Sequence, residues 1–146
     1  MTTIIGVEYA NRCVVLGDSR VVGDSKIYSH PDMVKVVTNG NFIIGAAGDV
    51  RALQVILHTW KPHAPIAKDK ENLFQFMISK VVPSLKQQLT EYGLLESKSA
   101  DKEFELYVLI AVNGNIFEID SDFAVSRSES GYYGIGTGGD LSLIHI

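Results

Sequence analysis

The order of strand-like and helix-like segments constrains the fold of this chain more than any other feature of its sequence. Strand-like segments occupy much of residues 2–45, two helix-like segments lie within residues 50–92, and strand-like segments return from residue 104. Separate blocks of strands and helices are typical of antiparallel sheets with helices packed on a face, whereas parallel βαβ units alternate the two. The sequence therefore predicts an α+β fold.

Short turns within the strand-like blocks predict β-hairpins. Residues 2–9 are rich in β-branched and aromatic side chains, and a second apolar run at residues 13–16 follows a plausible tight turn. Asn39-Gly40 and Asn113-Gly114 each separate two apolar runs, and Asn-Gly in this context is a strong hairpin signal. We expect a further short strand near Ile27 and another near residues 123–125, with a glycine-rich turn at residues 134–139.

The helical block contains two amphipathic patterns. Asp49 can cap a first helix over residues 50–60, in which apolar residues recur at roughly helical spacing. Residues 61–70 contain two prolines and predict a loop. Residues 71–92 predict a second helix, which Pro83 should kink because proline lacks the backbone N–H of a helix interior.

Composition and charge exclude several classes of protein. The formal net charge is −4, whereas a general nucleic-acid binder is expected to be basic. Cys13 is the single cysteine, which excludes an internal disulfide framework and a cysteine-rich zinc site. His30, His58 and His63 lack metal-ligand spacing with an acidic partner, so we expect neither a metal nor a cofactor. No run is apolar enough to span a membrane and no signal peptide is evident, which predicts a cytoplasmic protein that does not associate with a membrane.

Five short segments occur in a characteristic order. They are Met1-Thr2-Thr3-Ile4-Ile5-Gly6-Val7, Gly17-Asp18-Ser19-Arg20, Met33-Val34-Lys35-Val36, Ile44-Gly45-Ala46-Ala47-Gly48-Asp49 and Gly136-Thr137-Gly138-Gly139. Together this set resembles the β-type subunits of proteasomes and their bacterial two-component relatives, over residues 2–140. The resemblance implies the N-terminal nucleophile hydrolase fold, a four-layer αββα sandwich, and threonine-type endopeptidase activity.

The resemblance also predicts the extent of the domain. Residues 1–140 would form a peptidase domain that is incomplete at its C-terminus, because a later Asp and Ser that surround the nucleophile in this family would lie beyond residue 140. Residues 141–146 lack turn or capping logic and resemble a translated sequencing adapter, so we expect them to be a non-native tail.

The same resemblance assigns chemistry to Thr2, Asp18 and Lys35. A threonine hydroxyl is a weak nucleophile and needs an adjacent base. Once Met1 is removed, the α-amine of Thr2 has a reference pKa of about 7.7 to 8.0 and can take up the hydroxyl proton. Lys35 would favour the developing alkoxide, and Asp18 would pair with Lys35 and hold it charged. Lys35 stands one residue further from Thr2 than is usual in this family, which implies a one-residue insertion in the loop between Val21 and Pro31.

Further residues complete the site that the resemblance implies. The N–H of Gly45 is the candidate donor for the oxyanion. Thr137 stands where the family usually has serine, and its hydroxyl would lie near the amine of Thr2. Val21, Ile43 and Ala47 would line the pocket for the residue before the scissile bond, and their apolar character favours cleavage after hydrophobic residues.

Three functions remain open at the level of the sequence. The first is a threonine peptidase within a ring of sister subunits, acting on unfolded proteins that an ATPase unfoldase or another regulator supplies. The second is a non-catalytic ring subunit, and the third is another N-terminal nucleophile hydrolase that acts on small amides. The presence of Thr2, Asp18 and Lys35 together favours the first.

Overall fold

The computed structural model describes residues 2–23, 25–95 and 105–139. The predicted non-native tail at residues 141–146, and the expected strand start at Phe104, lie outside the described residues. Within the described parts of the chain, no helix has the length and apolarity needed to cross a bilayer.

Strands dominate both ends of the described chain and helices its middle, which is the predicted order. In chain order the strands are β1 (Ile4–Tyr9), β2 (Arg12–Gly17), β3 (Val21–Val22), β4 (Ile27–Tyr28), β5 (Val36–Asn39), β6 (Phe42–Gly48), β7 (Leu106–Val112), β8 (Asn115–Ile119), β9 (Val125–Ser126) and β10 (Tyr132–Ile135). The helices are α1 (Val50–Thr59), α2 (Ala67–Lys70), α3 (Leu73–Phe76) and α4 (Val82–Glu91), with a π-helical segment (Met77–Val81) between the last two.

A small antiparallel sheet has the strand order β10-β1-β2. The predicted N-terminal hairpin forms its core, with Ile4 opposite Gly17. Ala10 and Asn11 form the turn, with φ angles of 45° and 65°. Positive φ at both positions is the geometry whose twist matches that of the two strands. Strand β10 was not predicted, because its four residues include Gly134 and show no alternation that identifies a strand.

A larger antiparallel sheet has the order β5-β6-β7-β8-β9, and β3 pairs with β4 in a separate two-stranded ribbon. The predicted hairpins at Asn39-Gly40 and Asn113-Gly114 join neighbouring strands of the larger sheet. The ribbon connects the small sheet to the large one along the chain. It therefore lies between the segments that carry Asp18 and Lys35.

The helices depart from prediction in detail. Helix α1 starts directly after Asp49, as expected, but the Asp49 side chain makes no capping hydrogen bond. The second predicted helix begins at α3, where the side chain of Asn72 accepts a hydrogen bond from the Gln75 N–H at 3.1 Å. A π-helical segment ends two residues before Pro83, which has no backbone N–H to donate to the preceding turn, and α4 begins at Val82. The loop predicted at residues 61–70 contains the short helix α2.

Two hydrophobic clusters define three layers. The larger cluster joins the helices to one face of the large sheet, through Phe42, Ile44 and Ala46 of β6 among others. The smaller cluster lies between the sheets and includes Ile4 and Ala47. Successive residues of a strand point to opposite faces, so β6 serves both clusters. The α+β class is as predicted, while the second helical layer of the expected αββα sandwich is not among the described residues.

Candidate active site

An ion pair between a buried lysine and a partly exposed aspartate lies where β2 ends and the segment before β5 begins. The Lys35 Nζ donates to both carboxylate oxygens of Asp18, at 3.0 and 2.9 Å, and to the carbonyl oxygen of Arg20. The Lys35 side chain is 2% exposed and that of Asp18 is 35% exposed. A buried ammonium is stable only when such acceptors surround it, and these three contacts hold the Lys35 side chain in one position.

Asp18 links this ion pair to the first described residues of the chain. The Thr3 N–H donates to Asp18 Oδ1 at 2.8 Å, and the Asp18 N–H donates to the Thr3 carbonyl at 3.1 Å. Burial acts to raise the pKa of Asp18, but hydrogen bonds from the Thr3 N–H, the Lys35 ammonium and the Arg20 N–H outweigh it. The net effect is that the pKa of Asp18 is lowered. The carboxylate is therefore ionised at neutral pH.

A glycine turn holds the other side of Thr2. The Gly138 N–H donates to the Thr2 carbonyl at 3.2 Å. Gly136 has a φ of 84°, and a Cβ at this position would lie 2.2 Å from the Thr2 carbonyl oxygen. Only glycine permits this approach, which explains why a glycine-rich sequence follows β10. Thr137, between these glycines, is placed beside Thr2.

Thr2 and Lys35 line one cavity of about 460 Å³, together with Val21 and Thr137. Thr2 lies two residues before Ile4, which begins β1 and is fully buried between the sheets. Strand alternation therefore directs the Thr2 side chain toward the same inter-sheet side. The structure thus brings four of the predicted site residues to one space, and Asp18 adjoins it through Lys35.

Ile43, Gly45 and Ala47 do not line this cavity. They alternate on β6 with the residues that face the helices, so all three face the small sheet. Ala47 is fully buried there, and a Cβ at Gly45 would lie 3.0 Å from the Ile4 side chain. The sequence assigned these three to the substrate pocket and the oxyanion site, whereas the structure places them in the core between the sheets.

The backbone of β6 identifies Gly48, rather than Gly45, as the glycine beside the cavity. The Ala46 N–H donates to the Lys35 carbonyl at 3.1 Å, so even-numbered residues of β6 direct their N–H toward β5 and odd-numbered ones toward β7. Gly48 lies two residues further, beyond the start of β5, and lines the cavity. Leu106 lies opposite Gly48 on β7. Its N–H donates to the Ser121 hydroxyl and its carbonyl oxygen accepts from the same hydroxyl, so the backbone of Leu106 is directed away from Gly48.

Gly48 also requires the absence of a side chain. Its φ is 122°, and a Cβ would lie 2.3 Å from the carbonyl oxygen of Glu105. The adjacent Asp49 N–H donates to that same oxygen at 2.9 Å, which fixes the approach of β7. The sequence does not distinguish Gly48 from Gly45, because both glycines lie in the segment at residues 44–49.

Apolar side chains of the cavity come from the loop before Lys35 and from α1. Met33, Val50 and Leu53 line it with Val21. Val50 and Leu53 lie three residues apart and therefore share one face of α1. Helical spacing could have identified that face from the sequence, but only the tertiary structure shows that it faces the cavity.

A carboxyl group at another part of the cavity wall has an unusual pKa. Burial, the charge of Asp120 and a hydrogen bond with Asp120 raise the pKa of Glu118 from 4.5 to about 7. Glu118 lies on the same side of β8 as Ile116, which faces the small sheet, and Asp120 directly follows the strand. Residues 2–23, 25–95 and 105–139 contain no group of three or more His, Cys, Asp or Glu side chains that could hold a metal ion.

Comparison with known proteins identifies the fold. No family model matches this chain, and no curated protein matches it in sequence. Among solved structures, the eukaryotic HslV from Trypanosoma brucei aligns with a TM-score of 0.61 and 21% identity, over 97% of this chain and 75% of that one. Thiobacillus denitrificans BPH in complex with epoxomicin aligns with a TM-score of 0.69 and 18% identity, over the same shares. The Anbu (ancestral beta-subunit) of Yersinia bercovieri aligns with a TM-score of 0.64 and 14% identity, over 93% of this chain and 61% of that one.

This chain has the proteasome-like fold.

The likeness confirms the family resemblance drawn from the five sequence segments at the level of the fold. Identities of 14 to 21% across these proteasome-like structures show shared architecture, and they leave the chemistry of this chain to be argued from its own residues. Those residues are Thr2, Lys35, Gly48 and Thr137 on the cavity wall, with Asp18 paired to Lys35.

Proposed function

We propose that this chain is a threonine-type endopeptidase subunit of a self-compartmentalised, proteasome-like protease. The observation that carries the proposal is that Thr2 shares one cavity with the buried ammonium of Lys35, which Asp18 holds in place. The proteasome-like fold supports the same reading, because the solved structures with this fold include HslV, BPH and Anbu. Thr2 acts as the nucleophile after Met1 is removed.

The reaction begins with proton transfer from the Thr2 hydroxyl to its own α-amine. That amine has a reference pKa of about 7.7 to 8.0, so a useful fraction is neutral near pH 7. The Lys35 ammonium stabilises negative charge on the Thr2 oxygen as it attacks the peptide carbonyl. The amine then gives its proton to the leaving nitrogen, and water releases the acyl group from Thr2. The Thr137 hydroxyl assists this proton transfer beside the amine.

The Gly48 N–H stabilises the oxyanion that forms on the scissile carbonyl. It is directed to the cavity side of β6, and a positioned backbone donor of this kind contributes roughly 3 to 4 kcal/mol to transition-state stabilisation. In this role Gly48 replaces Gly45, whose backbone faces β7.

The apolar part of the cavity receives the side chain before the scissile bond. Val21, Met33, Val50 and Leu53 supply an uncharged wall, which favours hydrophobic side chains over acidic or basic ones. Val21 keeps the role that the sequence assigned to it. The side chains on α1 and in the preceding loop take the roles first assigned to Ile43 and Ala47.

Partners follow from the same proposal. The protein would act in the cytoplasm within an assembly of sister subunits, as the helical assembly of the Anbu complex from Pseudomonas aeruginosa suggests for this fold. An ATPase unfoldase or another regulator would deliver unfolded proteins to the enclosed sites.

The test uses the full chain, with loss of Met1 verified by intact mass. We expect it to cleave a hydrophobic fluorogenic peptide and to form a covalent adduct with a peptide epoxyketone, which requires both a hydroxyl and a free α-amine. Thr2→Ala should abolish both reactions. The matched variant Thr38→Ala, at an exposed position of β5, should retain them.

The outcomes separate the three functions. Neither cleavage nor an adduct would indicate a non-catalytic ring subunit and contradict the proposal. Turnover of small amides without turnover of peptides would indicate the amidase alternative. A variant with an uncleaved residue inserted between Met1 and Thr2 should be inactive, because its Thr2 nitrogen is an amide and cannot act as a base.

A further inference from the structure

Two polar side chains extend the apolar wall of the cavity along α1. Gln54 and His58 both line the cavity, at four and eight residues beyond Val50. This spacing places all three on one stripe of the helix. At 1.5 Å per residue, Gln54 lies about 6 Å and His58 about 12 Å further along the axis from the end of α1 that adjoins Gly48.

Neither polar side chain is committed to another part of the protein. Within residues 2–23, 25–95 and 105–139, no side-chain hydrogen bond holds Gln54 or His58. Both are exposed, and Asp32 lines the cavity from the loop opposite. Along α1 the cavity wall therefore changes from the apolar side chains of Val50 and Leu53 to the exposed polar groups of Gln54 and His58.

We propose that Gln54 and His58 select a substrate side chain with an apolar stem and a hydrogen-bonding tip, of which tyrosine is the natural example, before the scissile bond. This inference rests on the proposed function. The ring of such a side chain packs against Val50 and Leu53, and its hydroxyl reaches the Gln54 amide about one helical turn beyond. Phenylalanine fills the same walls but leaves Gln54 and His58 without a partner.

The size of the preference follows from the exposure of the two polar groups. A hydrogen bond that replaces one to water contributes about 0.5 to 1.5 kcal/mol, which corresponds to a preference of about two- to tenfold. Larger discrimination needs a fully desolvated site, because only there does an unmatched polar group carry its whole penalty.

The test compares two peptides that differ only by tyrosine or phenylalanine before the scissile bond. We expect kcat/KM to favour tyrosine by about two- to tenfold in the native chain, and the ratio to fall to about one in the double variant Gln54→Leu, His58→Leu. The matched variant Gln87→Leu, at an exposed position on α4, should keep the native ratio. A second measurement compares binding of the two acyl products, each ending in a free carboxylate, to Thr2→Ala, where turnover cannot contribute.

The outcomes distinguish this inference from the function on which it rests. Equal turnover of both peptides by the native chain, or a ratio that survives in the double variant, would overturn the selectivity alone. Absence of turnover of either peptide, together with absence of an epoxyketone adduct, would overturn the proposed function and the inference with it.

Discussion

A carboxylate paired with a cation lies near each end of β1, but the surroundings of the two pairs differ. At its start, Asp18 and Lys35 adjoin Thr2, and Lys35 faces a cavity of about 460 Å³. At its far end, Glu8 pairs with Arg127 at 3.2 Å. The chemical pairs are alike, so the difference between the two ends lies in what surrounds them.

At the far end of β1, groups of the protein itself occupy the hydrogen-bonding positions of the Glu8 carboxylate. Glu8 accepts a hydrogen bond from the Ile116 N–H at 2.6 Å as well as from Arg127. Nearby, the Tyr133 hydroxyl donates to the Ile116 carbonyl at 3.0 Å and accepts from the Ser128 N–H at 2.9 Å. These contacts connect β1, β8 and β10, so this end fastens the two sheets together.

A hollow alone does not distinguish the two ends. A more open depression of about 260 Å³ lies beside Glu8, but the turn residues around it include neither a cation nor a threonine. At the other end, a hydroxyl and an ammonium share the cavity wall. The proposed function depends on this arrangement, in which the ion pair lies beside both a hydroxyl and an open cavity.

The largest expected effect comes from removing the cation of each ion pair and comparing peptide turnover in the two variants. Lys35→Met should lower kcat/KM for peptide cleavage by about a hundred- to thousandfold, because the charge that stabilises the Thr2 oxygen is lost. Arg127→Met should leave peptide turnover within about twofold. Kinetics on both purified variants check this, and equal losses in the two would contradict the assignment of different roles.

Removal of Glu8 should have the next largest effect, and on stability instead of activity. Glu8→Ala leaves the Ile116 N–H without its acceptor, which should lower the free energy of unfolding by about 2 kcal/mol. Glu8→Gln keeps an acceptor oxygen and should lose about half as much. Urea unfolding measures both variants, and identical midpoints for Ala and Gln would refute the importance of the Ile116 contact.

A third pair of variants sharpens the division between core and cavity near Thr2. Ile43→Ala should lower the free energy of unfolding by about 1.5 kcal/mol with little change in KM, since its half-buried side chain packs against the cluster between the sheets. Val50→Ala should raise KM several-fold with a smaller loss of stability, because Val50 is 42% exposed and lines the cavity. The reverse pattern would restore Ile43 to the substrate pocket.

The smallest effect concerns Glu118 on the cavity wall, whose charged neighbour is the carboxyl group of Asp120 and not a cation. Because the pKa of Glu118 is raised from 4.5 to about 7, the folded state binds its proton more tightly than the unfolded state. Its contribution to stability is therefore present below pH 4.5 and is lost as the pH rises through about 7. Glu118→Gln should be about 1 kcal/mol more stable than the native chain at pH 8, after allowance for solvent screening.

Urea unfolding of the native chain and Glu118→Gln at pH 5 and pH 8 measures this difference. Asp122→Asn, at an exposed position next to the same strand, is the control and should show no comparable change between the two pH values. A native chain that gains stability relative to Glu118→Gln as the pH rises would contradict the raised pKa of Glu118.

The sequence by itself determined the local elements and the order in which they occur. Asn39-Gly40 and Asn113-Gly114 predicted two hairpins correctly because their turn chemistry is local. The pairing of Asp18 with Lys35 was also expected, through the family resemblance of short segments, and the structure places the two groups in contact. The glycine-rich segment that holds Thr2 was recognised in the same way.

Only the tertiary structure decided which groups face the cavity. A one-residue change of register reverses the direction of every side chain and every N–H of a strand. The pairing of β6 with β5 and β7 therefore decides whether Gly45 or Gly48 directs its N–H toward the cavity. The pairing of β10 with β1 and the raised pKa of Glu118 depend on contacts between residues far apart in the chain. Burial and long-range strand pairing leave no signature in a short stretch of sequence. The β10–β1 pairing and the raised pKa of Glu118 therefore become evident only in the tertiary structure.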